Sequence, residues 1–482
     1  MGSTIDLNET LSEKTIRVFA RLAVDKRRLP SSQLQKRGIP AYVGEWLVDT
    51  LVPGTGEVSP EEAAKVLDWA SANIPGPGEQ QVVKYRLSQG EKVRVLTPVE
   101  VEIRLDKKQQ FRRLAQLKLL GLEDVEISSD LLDSFPDLLR QGMWGVVELA
   151  YPSAGVTITS FKPMQATVNL ELYKRARGEF SLGEWRELML VSMGYNPAAF
   201  DEDQRTVLLS RLLPLVQKNM HLMELAPKGT GKSYFFENIS PRVRLVSSGN
   251  VSPAVLFVNN SSGQWGLLAR FAVVVLDEVQ TLKFQKPDEI IGGLKGYLAN
   301  GKLTRGGLHE TGSDCGLVLL ANITLDERQR PVRDPLVEEL PPFLRETAFL
   351  DRIRGILPGW KTAKLSGSSF ANGVGLKSDF FGDALLALRQ DLTIDQYVKT
   401  RVRLVGARTY TRNEEAIRAM ASGLMKIQFP DGQVSDLDFR TYCVEPAVEY
   451  RQLIWDQLYR MDAEYRQYDR DLRYELLDWL RS

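Results

Sequence analysis

The chain has 482 residues, 43% of them hydrophobic, and its 62 basic residues balance its 62 acidic ones. A chain of this length buries sizeable cores and accommodates about three domains. Zero formal charge identifies no partner, so any contact with nucleic acid has to come from a local basic patch.

The only two cysteines, Cys315 and Cys443, are too far apart for a disulfide framework or for any usual zinc-binding spacing. The first residues lack the basic and apolar segments of a secretion signal. No run of 18 apolar residues occurs, so a membrane-spanning helix is not expected. We therefore predict a cytoplasmic protein without a membrane partner.

Residues 1–85 predict a helical domain. The pattern over Leu11–Leu29 is that of an amphipathic helix with clustered basic residues, which form either a solvated helix face or a nucleic-acid contact. Further helices are predicted at Ala41–Leu51 and Pro60–Ala72, the second after a favourable Ser-Pro-Glu-Glu start. A Pro/Gly linker follows over Ile74–Gln81.

Residues 86–170 predict a β-rich domain, because short alternating runs separated by turns are typical of a small antiparallel barrel. An OB-like barrel is one candidate, and an exposed basic face on it would suit a nucleic-acid backbone. The basic residues considered for that face are Arg104, Lys107, Lys108, Arg112 and Arg113.

Residues 171–375 predict an ATPase core with a helical lead-in. Strands alternate with helices here, which predicts an α/β fold with a doubly wound parallel sheet and helices on both faces. The predicted strands are Met220–Leu225, Val243–Ser247, Val273–Leu276, Gly316–Ala321 and Gly355–Leu357.

A phosphate-binding loop follows the first predicted core strand. Residues Ala226–Ser233, APKGTGKS, meet the pattern G-x-x-x-x-G-K-[ST] except at the first position, where alanine is acceptable if φ is negative. Glycines let backbone N–H groups turn toward phosphate oxygens, Lys232 neutralises the β and γ phosphates, and the Ser233 hydroxyl ligates Mg²⁺. We predict ATP and Mg²⁺ as ligands, bound by Pro227, Lys228, Gly229, Thr230, Gly231, Lys232 and Ser233.

Three further core positions carry candidate catalytic groups. The apolar run Phe271–Glu278, FAVVVLDE, ends in two carboxylates, of which Asp277 would hold Mg²⁺ through water and Glu278 would polarise the attacking water. Asn322, at the end of its strand, either positions that water or makes a structural turn. Arg352 lies just before the last core strand, where an arginine finger would act on a neighbouring subunit's nucleotide.

Residues 376–430 predict a helical lid over the nucleotide. In that lid Arg412, near a helix start, reaches the γ-phosphate, or Arg418 does so instead. Residues 431–482 predict a helical extension, in which the amphipathic run Glu445–Ser482 packs on the lid or on a neighbour.

In order, the segments APKGTGKS, VVVLDE, LLANI and FLDRIRGILPGW resemble the AAA+ ATPases. With ELAPKGTGKSY, ENISP, LKGYLANGKLTRG and SGLMKIQFPDG, the chain resembles the BrxL family, the Lon-related AAA+ ATPases of BREX phage-exclusion systems. The resemblance continues upstream through WGVVELAY and covers most of the chain.

The resemblance implies an MCM-like ATPase core that assembles as hexameric rings, which pair as dodecamers, and that encloses double-stranded DNA alongside other BREX proteins. It also implies that Gly301–Glu310 is a hairpin pointing into the ring, with Lys302 and Arg305 on DNA phosphates.

Larger members of the family carry a Lon-like peptidase domain with a Ser–Lys pair. This sequence has no lysine after Lys426, so we expect an ATPase without peptidase activity, a short form of the family. The alternative function is a protein unfoldase that serves a separate peptidase, but a basic hairpin without aromatic residues favours DNA. The sequence leaves open whether the ATPase is a motor or a nucleotide-switched scaffold.

Overall fold

The computed structural model describes residues 9–34, 39–76, 78–105, 110–140, 142–152, 155–164, 168–261, 263–305 and 309–477. Its helices are α1 Leu11–Phe19, α2 Arg28–Ser31, α3 Ala41–Leu51, α4 Pro60–Asn73, α5 Gln80–Ser88, α6 Ser129–Ser134, α7 Leu170–Arg177, α8 Leu182–Ser192, α9 Glu202–Ser210, α10 Leu213–Val216, α11 Lys232–Asn238, α12 Pro253–Leu256, α13 Leu267–Arg270, α14 Pro287–Asn300, α15 Thr347–Leu350, α16 Ser378–Ala387, α17 Leu392–Arg401, α18 Thr411–Gln428, α19 Asp436–Phe439 and α20 Glu445–Met461.

Its strands are β1 Ala23–Asp25, β2 Val93–Leu105, β3 Phe111–Leu117, β4 Leu122–Glu126, β5 Met143–Ala150, β6 Thr157–Pro163, β7 Leu222–Ala226, β8 Val243–Val246, β9 Asn250–Val251, β10 Val273–Leu276, β11 Lys283–Phe284, β12 Lys302–Arg305, β13 His309–Gly312, β14 Gly316–Asn322, β15 Gly355–Pro358, β16 Val374–Leu376, β17 Val402–Val405 and β18 Arg473–Leu476. The backbone forms two compact units, one of residues 24–167 and one of residues 1–23 and 168–482. None of the helices in the described ranges combines the length and apolar character that crossing a membrane requires.

The unit of residues 24–167 contains a closed five-stranded barrel in the order β2-β3-β4-β6-β5. Strands β4 and β6 pair in parallel, and the other neighbours are antiparallel. Strand β3 was absent from the sequence prediction because its first three residues are exposed and break the apolar alternation. The predicted domain boundary after residue 85 falls inside α5, whose Val83 and Leu87 pack in the barrel core.

The predicted basic face of the barrel is partly neutralised by ion pairs. Arg104 lies 2.8 Å from Asp124, and Arg112 lies 2.6 Å from Glu126. Lys107 and Lys108 lie outside the described residues. Arg104 and Arg112 therefore meet carboxylates of their own sheet, whereas Arg113 is exposed, so the expected cationic surface is only partly neutralised.

The helix predicted over Leu11–Leu29 is wrong beyond Phe19, where α1 ends. Ala20 takes a positive φ of 47°, which interrupts the helix, and the chain is extended again at β1. The basic residues of α1 are ion-paired, with Lys14 at 2.6 Å from Glu184 and Arg17 at 2.9 Å from Glu9. Lys14 is only 14% exposed and Arg17 is paired, so these two residues offer little free positive charge for a nucleic-acid contact.

The second unit is built on a five-stranded parallel sheet in the order β15-β7-β14-β10-β8. The five core strands predicted from the sequence are confirmed, and both β7 and β10 are buried at every position, as continuous apolar runs in a parallel sheet should be. Helices α14 and α20 contribute to the hydrophobic core that this sheet forms.

The predicted helices after residue 376 are confirmed by α16 and α18, and α20 packs on α18 and β15. The helix predicted over Glu445–Ser482 is wrong over residues 462–477, and residues 478–482 lie outside the described part of the chain. Asp462 leaves the helical conformation with φ −140°, and its side chain caps the following short turn by accepting from Glu464 N. Strand β18 then pairs antiparallel with β17.

Candidate nucleotide-binding site

The phosphate-binding loop lies between β7 and α11, at the carboxyl end of the sheet's parallel strands. Gly229 and Gly231 take φ of 87° and 74°, a region that residues with a side chain rarely adopt. Ala226, which replaces the first glycine of the motif, is the last residue of β7 and has the extended backbone that an alanine accepts. The loop geometry thus fits the sequence prediction.

The Lys232 side chain folds back over the start of the loop. Its ammonium donates to the carbonyls of Ala226 and Pro227, at 3.3 and 3.1 Å, and to Asn322 Oδ1 at 3.2 Å. Burial lowers the pKa of Lys232, while the neighbouring carboxylates, Glu224 foremost, oppose that shift. The cation is therefore placed to exchange carbonyl oxygens for phosphate oxygens.

The two carboxylates at the end of β10 lie on either side of a sharp turn. Asp277 is 4% exposed and accepts from Glu278 N at 2.9 Å. Glu278 has a φ of 45°, a conformation that costs on the order of 1–3 kcal/mol for a non-glycine residue and is concentrated at functional sites.

Asn322 connects the phosphate loop with the acidic strand end. Its Oδ1 accepts from Lys232, and its Nδ2 donates to Glu278 Oε1 at 3.2 Å. Gln280, which the sequence analysis missed, fixes the Asn322 backbone by donating to its carbonyl at 2.5 Å and accepting from its N–H at 3.4 Å. The structure therefore brings together three residues that the sequence predicted separately.

Arg352 lies at the amino end of the parallel strands, whereas the phosphate loop lies at their carboxyl end. Strand β15 runs parallel to β7 with Gly355 opposite Leu222, and Arg354 N donates to His221 O at the amino end of β7. The segment before β15 is therefore separated from the phosphate loop by the length of β7.

Arg412 lies at the same amino end of the strands, because it forms an ion pair with Asp351, which precedes β15. Asp351 also holds Arg451 at 3.0 Å and accepts from the Tyr410 hydroxyl at 3.0 Å. Arg418 instead pairs with Glu414 at 2.6 Å and donates to a strand carbonyl. The ion pair with Asp351 places Arg412 beside the segment that carries Arg352, and the contact of Arg412 or Arg418 with a γ-phosphate stays a prediction.

The hairpin of β12 and β13 is antiparallel, with Lys302 opposite Gly312. The Lys302 ammonium lies 2.8 Å from Glu310 on the facing strand, and both side chains are 58% exposed. The side chain of Arg305 lies outside the described residues, as do the tip residues 306–308. The hairpin is confirmed, and its one described lysine is ion-paired.

An aromatic pair borders the phosphate loop. Tyr234 directly follows Ser233 on α11, and its ring meets Phe370 edge to face, with the centroids 6.2 Å apart. The two residues are 38% and 45% exposed. The sequence analysis missed this pair because Phe370 is distant in sequence and belongs to no motif.

Three buried residues behind the loop were also missed: Tyr195, Arg211 and Glu224. Arg211 and Glu224 form an ion pair at 2.7 Å with no exposed side-chain surface on either partner. The signal that was available is a glutamate inside the otherwise apolar strand β7.

A parallel sheet that carries a glycine-rich loop with a buried lysine after β7, and an Asp-Glu pair after the strand two places away, defines a P-loop nucleotide-binding domain. Residues 156–471 match the family described as "Lon-like protease BrxL-like, ATPase domain". Residues 17–151 match "BREX system Lon protease-like protein BrxL N-terminal". The chain therefore belongs to the BrxL-like family, which confirms the resemblance found in the sequence.

Two curated relatives share this similarity over most of the chain. The Lon-like protease BrxL of Escherichia coli O9:H4 (strain HS) is 28% identical, over 91% of this chain and 63% of that protein. The Lon-like protease BrxL of Bacillus cereus (strain H3081.97) is 30% identical, over 88% of this chain and 63% of that protein. The chain thus spans less than two thirds of the length of these relatives.

Among solved structures, the chain is similar to a full-length MCM homolog from Methanopyrus kandleri, with a TM-score of 0.44 and 12% identity, over 92% of this chain and 96% of that one. A likeness at this score supports no inference about function.

Proposed function

We propose that the protein is an AAA+ ATPase of BREX-type antiviral defence that binds ATP and Mg²⁺ at the phosphate loop, assembles as a ring and binds double-stranded DNA. The observation that carries the ATPase proposal is the Asn322 side chain, which contacts both Lys232 and Glu278. A γ-phosphate bound by Lys232 would thereby come next to the carboxylate that polarises water.

Each residue of the site has a distinct role in this proposal. Lys232 would bind the β and γ phosphates, and Ser233 and Asp277 would hold Mg²⁺, which would neutralise charge on the phosphate oxygens. Glu278 orients the attacking water, and Asn322 keeps the Glu278 carboxylate and the γ-phosphate in register. The N–H groups from Lys228 to Ser233 surround the phosphates.

The position of the arginines supports the proposal of a ring. Arg352 and Arg412 lie at the amino end of the sheet, where they suit contact with the nucleotide of an adjacent subunit. We propose hexamers that stack as dodecamers, with the hairpin of β12 and β13 turned toward the enclosed DNA.

The proposed chemistry is ATP hydrolysis and not peptide hydrolysis, although the curated relatives are named Lon-like proteases. Ser422 and Lys426 lie one helical turn apart on α18, as a Ser–Lys pair might, but each bonds a different oxygen of Asp395. Burial lowers the pKa of Lys426 and the Asp395 carboxylate at 2.8 Å opposes that shift, but the lysine and the serine are both bonded to Asp395, which leaves neither arranged as the nucleophile and base of a dyad.

The direct test is ATP hydrolysis by the purified protein with and without duplex DNA, beside electron microscopy of the same sample. We expect rings whose turnover rises when DNA is added. Verified rings that bind ATP without hydrolysing it would refute the ATPase, and turnover indifferent to DNA, with no measurable DNA binding, would refute the DNA partner.

The hairpin prediction concerns Lys302 and its partner Glu310. Replacing Lys302 by alanine is expected to reduce the slope of log affinity for DNA against log salt by about one unit, because one phosphate contact is lost. Glu310→Gln is the matched control, since it removes the competing carboxylate and should strengthen DNA binding. Unchanged binding in both variants would contradict a role for this hairpin in DNA contact.

The base prediction concerns Tyr234 and Phe370, whose exposed rings are placed to stack on a purine beside the phosphate loop. Phe370→Ala is expected to weaken ATP binding about tenfold, because stacking of a base on an aromatic ring contributes roughly 1–3 kcal/mol. Inorganic triphosphate, which has no base, should bind the variant as it binds the wild type. Phe370→Tyr keeps the aromatic ring and should keep the wild-type affinity for ATP. If Phe370→Ala binds ATP as tightly as the wild type does, the Phe370 ring is not part of the base site.

A further inference from the structure

A fully buried polar cluster lies directly behind the phosphate loop, on the side away from the nucleotide. Arg211, between α9 and α10, donates two hydrogen bonds to Glu224 of β7. Its Nε donates to Oε2 at 3.1 Å, and its Nη2 donates to Oε1 at 2.7 Å. Its other Nη donates to the Tyr195 hydroxyl at 2.7 Å. We call Tyr195, Arg211 and Glu224 the loop brace.

The loop brace holds two carbonyl oxygens of the phosphate loop itself. Arg211 Nη2 also donates to Thr230 O at 3.2 Å, and the Tyr195 hydroxyl donates to Gly231 O at 3.4 Å. Gly231 is tightly enclosed here, because a Cβ at that position would come within 2.5 Å of Leu365 Cδ1. The brace therefore reaches the two peptide groups that join Thr230, Gly231 and Lys232.

A trans peptide group is planar, so its C=O and the N–H of the next residue point in opposite directions. A guanidinium that draws Thr230 O toward the protein interior aims Gly231 N–H outward. The Gly231 carbonyl accepts from the Tyr195 hydroxyl at 3.4 Å and from Phe235 N of α11 at 3.1 Å, and together these donors aim Lys232 N–H outward. These outward N–H groups are the ones that a phosphate-binding loop directs at its ligand.

Stability alone does not account for the loop brace. Neither Arg211 nor Glu224 exposes any side-chain surface, and the desolvation of such a pair commonly offsets its attraction, so that apolar replacements of similar volume are often neutral or stabilising. A buried pair of this kind is weak evidence of a purely stabilising role, and the contact of the same guanidinium with Thr230 O points to a second role.

We infer that Tyr195, Arg211 and Glu224 are positioning residues that hold the phosphate loop in its binding conformation by fixing the carbonyls of Thr230 and Gly231. None of the three contacts the phosphates. This inference rests on the proposed nucleotide site and adds to it the groups that preorganise the N–H donors before the nucleotide arrives.

The first test is the double variant Arg211→Met with Glu224→Leu, which removes the pair without leaving a lone buried charge. We expect a folded protein with a melting temperature near that of the wild type, and an affinity for both ATP and inorganic triphosphate at least about tenfold weaker, because the Arg211 contact with Thr230 O is lost and the Tyr195 hydroxyl loses the guanidinium that orients it. A folded double variant that binds both ligands like the wild type would overturn the inference.

The second test, which decides the matter if the double variant does not fold, is Tyr195→Phe. It deletes one hydroxyl, keeps the ring, and should weaken ATP and triphosphate by the same factor, about fivefold. Tyr297→Phe is the matched control, since its buried hydroxyl donates to Cys315 O at 2.5 Å, away from the loop, and its loss should leave nucleotide affinity unchanged. Equal effects of the two substitutions on affinity would refute positioning by the brace.

The two hypotheses fail in different ways. A wild-type protein that binds neither ATP nor triphosphate would refute the nucleotide site itself. If the wild-type protein binds both ATP and triphosphate, and the brace variants bind them with the same affinity as the wild type, only the loop brace is refuted.

Discussion

Replacing Lys232 by alanine is expected to abolish measurable ATP binding, with a loss of affinity of about 100-fold or more. The ammonium is the one side-chain cation inside the motif that is buried at the loop, and removing one member of a buried charged contact costs roughly 2–5 kcal/mol. Equilibrium binding of a fluorescent ATP analogue measures the loss directly.

Two comparisons make this result specific. Lys228→Ala removes a lysine of the same loop whose side chain is exposed, and should leave most of the affinity intact. Glu278→Gln should bind ATP like the wild type but hydrolyse it far more slowly, because the amide no longer polarises water. Wild-type ATP affinity in Lys232→Ala would refute the phosphate-loop assignment, and normal turnover in Glu278→Gln would remove Glu278 from the chemistry.

The core sheet and the loop were predictable because the determinants are local. The run VVVL of β10 is buried at every position, and an uninterrupted apolar tetrapeptide followed by Asp-Glu permits few other interpretations. The conformation at Gly229 and Gly231 was equally predictable, since φ values of 87° and 74° are the reason the motif requires glycine at these positions.

What the sequence did not disclose is which charges meet. In the sequence, Arg104 and Arg112 belong to a basic segment that predicts a cationic surface. In the structure, the carboxylates that neutralise them come from β4, which lies beside β3 in the barrel. The same holds for Lys302, whose partner Glu310 lies on the other strand of the hairpin, two residues away from the position opposite Lys302. Pairings between strands depend on register, and register depends on the whole sheet.

The loop brace escaped the sequence analysis for a related reason. Glu224 lies within a strand that is buried throughout, so its neighbours dominate the pattern and the strand is correctly predicted without it. A charged residue in such a strand signals a buried partner, but only the fold identifies Arg211 as that partner. The irregular segments failed differently, as α1 ends at Ala20 on a backbone conformation that no local pattern predicts.

Replacing Arg352 by alanine is expected to reduce ATP turnover by about a thousandfold or more without weakening ATP binding, since an arginine finger acts on the transition state. The residue lies before β15 at the amino end of the sheet, which is why we propose that it serves the site of an adjacent subunit. Subunit mixing provides the measurement. Arg352→Ala and Lys232→Ala chains, each inactive alone, should regain activity when co-assembled, because some interfaces then join an intact loop to an intact arginine.

The neighbouring Arg412 sharpens this experiment. Its ion pair with Asp351 places it beside the segment that carries Arg352, so Arg412→Ala should complement Lys232→Ala but not Arg352→Ala, whose defect lies on the same face of the subunit. Arg418→Ala, a lid arginine paired with Glu414, is the matched control and should retain turnover by itself. Recovery of activity between Arg352→Ala and Arg412→Ala chains would place the two arginines in different sites. A ring that contains both Lys232→Ala chains and arginine-variant chains must contain interfaces at which the loop and both arginines are intact. Absence of recovered activity in verified mixed rings of that kind would therefore rule out action in trans.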